Sequence, residues 1–193
     1  MRIFLKFFPE IYSFYQREVA MSDIIHDIIV QQYMVNLRAL KGMLAKAKFH
    51  ADTNKFDVQH FLDIKLAPDM WNFTRQIQTL SDNAKGMVAR LAGQEVPSWP
   101  DTEKTWEELL ARIDKTLDFV SRFKASDFKS YTEKKIRFPW VTGVHLEGKD
   151  YLVSYALPNF YFHLTTIYAL LRAAGVPVGK ADYIGEINWK KDS

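Results

Sequence analysis

The stretch NFYFHLTTIYALL, residues 159–171, carries the pattern on which the fold turns. Phe160, His163, Leu164, Ile167 and Leu171 recur at steps of three and four, which places them on one face of an α-helix. The helix is expected over roughly Asp150–Ala174, with Gly175 as its stop. Pro158 falls inside that span and must either kink the helix or let a fresh one begin at Asn159, because proline lacks the backbone donor and clashes with the preceding turn. Beyond Gly175, residues 176–185 with Pro177 and Gly179 read as irregular.

Working back along the chain, the same spacing recurs three times. Ile29, Tyr33, Leu37, Leu40, Leu44, Ala47 and Ala51 line one face of a long first helix expected over about Asp23–Asp52, with His26 on the same stripe. Phe56-Asp57-Val58 suggests a short helical turn. Phe73, Ile77, Leu80, Ala84, Met87 and Leu91 mark a second helix from near Asp69 to Gly93. Trp106, Leu109, Leu110, Ile113, Leu117 and Val120 mark a third, for which Asp101 and Thr102-Glu103-Lys104 supply a start signal. Between the third and last helices, Ile136, Phe138 and Trp140 alternate with Lys135, Arg137 and Pro139, the period of a strand. Four amphipathic helices with one stripe each are satisfied together by an all-α four-helix bundle, here with a small β-hairpin-like insertion between the third and last helices.

Composition narrows the function classes without naming a reaction. The chain has 193 residues, 48% of them hydrophobic and 15% aromatic, which suits one domain with a ring-rich core. A formal charge of +3 from 26 basic and 23 acidic residues gives no concentrated basic face for nucleic acid. The absence of cysteine excludes disulfides and thiolate chemistry, and fits a cytoplasmic location. Residues 1–20 carry Arg2 and an apolar run, but Lys6, Pro9 and Glu10 interrupt it, so neither a secretory signal nor a membrane span is expected. That segment reads as an extension outside the fold, with the bundle over residues 21–185 and a tail over residues 186–193.

Glycine-rich phosphate loops, the His-Glu-x-x-His zinc motif and the Gly-x-Ser-x-Gly elbow are all missing. Among the five histidines, His163 falls on the inner face of the last helix and Asn159 lies one turn earlier on the same side. Two side chains at that spacing can converge on one ligand; the plainer role for His163 is a core histidine satisfied by a hydrogen bond. His26 reads in the same way as a helix-end histidine at the mouth of the bundle.

Several ordered motifs add a resemblance. Leu66-Ala67-Pro68-Asp69-Met70, Ser81-Asp82-Asn83-Ala84-Lys85-Gly86, Ala89-Arg90-Leu91-Ala92-Gly93, Asp101-Thr102-Glu103 with Arg112-Ile113, residues 156–166, and Gly179-Lys180-Ala181-Asp182-Tyr183-Ile184-Gly185 together resemble the domain of unknown function 1993 family, within the DinB/YfiT-like superfamily. The resemblance spans about Met21–Gly185. It implies a four-helix bundle, commonly a homodimer, in which many members hold a divalent metal through three histidines, one on the second helix and two at i, i+4 on the last. Carried onto this chain, His163 matches the final position, Asn159 its partner, and the second-helix position falls at Asp82 or Asn83, with helix phase favouring Asn83. The resemblance thus implies a degenerate metal site of His163, Asn159 and Asp82, with nickel or zinc as the candidate ion. In the same motifs Arg90, Arg172 and Asp101 are expected to make caps and salt bridges. The expected function is binding of a small polar ligand by Asn83, Asn159, His163 and Thr166 between the second and last helices. The alternatives are a divalent-metal-dependent transferase or hydrolase and a non-enzymatic structural homodimer.

Overall fold

The first apolar stripe forms a continuous helical rod in the computed structural model of the chain, which describes residues 21–192. It comprises α1 (Met21–His26), a π-helical stretch (Asp27–Gln31) and α2 (Gln32–Thr53). The inward face is the expected one: Ile29, Tyr33, Leu37, Leu40, Leu44, Ala47 and Ala51 are all buried. The expectation for residues 1–20 lies outside the described residues. After α2, Asp57 caps the predicted short turn, a 3-10 helix at Val58–Phe61, by accepting a hydrogen bond from the Gln59 amide.

The second and third bundle helices, α3 (Phe73–Ala92) and α4 (Trp106–Ser121), begin later than the start signals suggested. α3 starts after Asn72, not at Asp69, because the Asn72 side chain accepts from the Arg75 amide and fixes the first turn there. Its end is as read: Gly93 takes φ +72°, the left-handed conformation that closes a helix. α4 starts after Thr105, not at Asp101, because Thr105 and Glu108 cap one another reciprocally in a capping box. The acidic residues that looked like a helix start, Asp101 and Glu103, turn inward to Arg112 instead.

A two-stranded antiparallel pair, β1 (Lys135–Ile136) with β2 (Leu146–Glu147), makes the hairpin-like insertion, in the register Ile136 opposite Leu146. Its connecting loop carries Phe138 and Trp140. The last bundle helix follows at once, as α5 (Gly148–Asp150), a π-helical stretch (Tyr151–Ala156) and α6 (Leu157–Ala173). The π stretch sits directly before Pro158, where the proline ring would clash with the carbonyl of the preceding turn, and an altered hydrogen-bond ladder relieves that conflict. The segment expected to be irregular holds a further short helix, α7 (Lys180–Ile184), which the Asp182 carboxylate caps by accepting from the Gly179 amide while pairing with Lys46 of α2 at 2.7 Å.

Stacked rings tie the four stripes together. Phe73 of α3 lies parallel to Trp106 of α4 at 5.7 Å, and Tyr33 of α2 stacks on Phe160 of α6 at 3.8 Å. The α3–α6 seam is antiparallel: Gln76 meets His163 at one end and Arg90 meets Tyr151 at the other.

Candidate functional site

A cleft of about 430 Å³ opens along the α3–α6 seam, roofed by the 96–99 segment and the 138–140 loop. Asp82, Asn83, Lys85 and Arg90 reach it from α3, Asn159 from α6, and Trp99, Phe138, Trp140, Tyr151 and Tyr155 supply aromatic walls. Asn83 is only 7% exposed, yet among the described residues its Oδ1 has no hydrogen-bond partner. A buried carboxamide oxygen left without a partner costs about 1–3 kcal/mol in desolvation.

The cations of the cleft are held differently. Lys85 pairs with Asp82 at 2.7 Å and lies over the Trp99 ring at 4.4 Å. Burial pulls its ammonium below the usual lysine range, against the opposing pull of Asp82. Asp82 is shared, because Arg112 of α4 also reaches it at 2.8 Å while binding Asp101 and Glu103, each at 2.9 Å. One buried guanidinium therefore organises three carboxylates and anchors the cleft floor to α4. Arg90, by contrast, donates to the Tyr151 hydroxyl at 3.2 Å and lies over the Phe138 and Tyr151 rings, 5.3 and 5.9 Å from their centroids. Among the described residues it has no carboxylate partner. Gly86 makes room for it, since a Cβ there would stand 2.3 Å from Arg90 Nη1.

His163 is buried one turn along α6, in contact with different partners. Gln76 donates through its amide nitrogen to the Trp71 carbonyl at 3.2 Å, which turns Gln76 Oε1 toward His163 Nδ1 at 2.6 Å. That relay assigns the proton to Nδ1, which donates to Gln76. Trp71 stacks flat on the imidazole at 5.8 Å, and burial, aided by the nearby Arg75 charge, lowers the histidine to about 4.

The structure thus brings together Asp82, Asn83 and Asn159 on one cleft and separates His163 and Thr166 from it. Both alternatives for the second-helix position, Asp82 and Asn83, line the cleft, since the void spans their two directions. His163 is not among the lining side chains, and Thr166 donates to the Phe162 carbonyl at 2.8 Å beside a separate groove formed with Leu66 and Phe162. Asp101 makes the expected salt bridges, and Arg172 donates to the Val176 carbonyl near the helix end. Among the described residues Arg90 makes neither a side-chain cap nor a salt bridge, and donates to the Tyr151 hydroxyl instead. His26 bonds the Phe123 carbonyl at 3.1 Å at the bundle end. The donors gathered in the cleft do not fit a nickel or zinc centre: no imidazole is among its lining side chains, Asp82 is engaged by two cations, and carboxamides are weak ligands. Among the described residues no group of three or more His, Asp or Glu side chains is gathered as a metal cage.

Sequence reasoning passed over Gln76, Trp71 and the cleft role of Arg90. Gln76 had a signal, lying three residues after Phe73 and four before Leu80 on an otherwise apolar stripe. Arg90 had none, because its partners Phe138 and Tyr151 come from distant segments.

With this geometry in place, comparison with known proteins defines the class. A solved structure of a DinB family member protein from Shewanella denitrificans matches with a TM-score of 0.86 at 37% identity, over 89% of this chain and 97% of that chain. The molecule is an all-α DinB-like helical bundle. More narrowly, the chain belongs to the family described as Domain of unknown function (DUF1993), whose model matches residues 25–184. No curated protein matches the chain. Among the described residues no helix is long and apolar enough to cross a membrane.

Proposed function

We propose that this protein binds a small polar ligand in the α3–α6 cleft, which takes in two of the three positions at which the superfamily resemblance implies a metal, those of Asn159 and of Asp82 or Asn83. The observation that carries the reading is Asn83, a buried carboxamide with an oxygen unpartnered among the described residues, which lines the cleft together with Asn159. Ligand sites are concave, mostly apolar and furnished with a few convergent polar groups, and this cleft matches that description in its rings and its two carboxamides. The ligand set differs from the sequence expectation in that Asn83 and Asn159 act with Arg90 and Lys85, while His163 supports the seam from behind. A cytoplasmic location and a homodimer remain part of the proposal, supported by the lack of cysteine and by the superfamily resemblance respectively.

A thermal-shift screen of small polar metabolites tests the reading. The expected result is a set of stabilising compounds whose effect disappears in both Asn83→Leu and Asn159→Leu but persists in Thr166→Val. Stabilisation that survives both cleft substitutions contradicts it.

A further inference from the structure

We infer that Arg90 makes the cleft a receptor for small aromatic monocarboxylates. The inference rests on the ligand-binding reading above and adds the chemical class of the ligand. A guanidinium drawn out of bulk water is normally paired with an acid, because an uncompensated charge is expensive to desolvate. Arg90 is half-buried and held in place by the faces of Phe138 and Tyr151 and by the Tyr151 hydroxyl, with no acid among the described residues to neutralise it. The side chain is oriented in advance while its charge is left unmatched, and its planar fork suits a carboxylate.

The charge of the lining sets the valence. Lys85 pairs with Asp82 at 2.7 Å, and Arg112, which shares that carboxylate, has Asp101 and Glu103 besides, so among the described residues Arg90 is the one cation of the cleft lining without an acid. A monoanion balances it; a phosphate monoester, which carries a charge of about −1.5 to −2 at neutral pH, leaves charge over. The body of the ligand is set by the remaining walls. Trp140, 67% exposed and stacked on Phe138 at 4.7 Å, and Tyr155 line the same cleft and present ring surface against which a planar group can stack. Asn83 and Asn159 remain for a polar substituent on that ring.

Calorimetric titration of the full chain with phenylacetate, its neutral analogue phenylacetamide and phenyl phosphate tests the assignment. The expected result is phenylacetate binding at least about tenfold tighter than either other probe, with the preference lost in Arg90→Gln and partly kept in Arg90→Lys. The thermal midpoint of each variant verifies that it is folded, and Arg90→Lys retains a cation should Arg90→Gln fail to fold. Equal affinity for phenylacetate and phenylacetamide, unchanged by Arg90→Gln, overturns the choice of an anion while leaving the polar-ligand reading intact. Tighter binding of phenyl phosphate overturns the carboxylate class. Failure of all three to bind at millimolar concentration overturns the inference, and the Asn83 and Asn159 variants in the metabolite screen then judge the broader reading independently.

Discussion

Asn83 and His163 show at the scale of single residues how function and stability diverge on one seam. Asn83 buries an oxygen without a partner, so replacing it with leucine removes an unsatisfied group from the helix. We expect Asn83→Leu to raise the unfolding free energy by about 1 kcal/mol in the absence of ligand, read from denaturant midpoints, while ligand binding is lost. A loss of stability of that size indicates that the carboxamide is satisfied in solution. His163 behaves oppositely. Its folded value is about 4 against 6.5 in the unfolded chain, so between those values the unfolded state binds the proton and the folded state does not. The contribution is therefore complete above about pH 6.5 and fades as the pH falls toward 4. From about pH 7.5 to about pH 5 the wild type should lose about 2 kcal/mol more than His163→Asn, whose amide still donates to Gln76 but does not titrate. Parallel pH profiles for the two proteins contradict the buried, neutral imidazole.

The four stripes at the scale of elements were legible because each helix faces one core, and burial at every third or fourth position follows directly from that. The helix starts were less so. Asp101-Thr102-Glu103 has the composition of an N-terminus, but its acids fold back onto Arg112 of α4, and the actual cap is Thr105 with Glu108. Local composition could not separate those uses, since an acid just ahead of a helix looks the same whether it caps that helix or pairs with an arginine such as Arg112 further along it. Thr105→Ala should therefore lower stability by about 1 kcal/mol and Thr102→Ala by less than half of that, as measured by chemical denaturation. The reverse order contradicts the cap assignment. The cleft was legible only in part for the same reason. Asn83 and Asn159 were found through helix phase and resemblance, whereas Arg90, Phe138 and Tyr151 meet only after the insertion folds back over the seam.

Surface and assembly are decided at the scale of the whole molecule. Leu66, Trp71 and Phe162 are each about half exposed, at 48%, 50% and 55%, on the outer side of the seam, away from the cleft. Apolar side chains gathered in this way are uncommon on monomers. Together with the homodimer expected from the superfamily resemblance, they lead us to expect a dimer mass by light scattering at micromolar concentration. A monomer mass contradicts that expectation. The central claim is that this bundle holds a ligand between α3 and α6. Its most direct test is a crystal structure of the protein grown with the most stabilising compound of the metabolite screen. The account predicts that compound in the α3–α6 cleft, in contact with the side chains of Asn83 and Asn159. The compound bound instead in the groove of Leu66 and Phe162, with the α3–α6 cleft filled only by solvent, would contradict it.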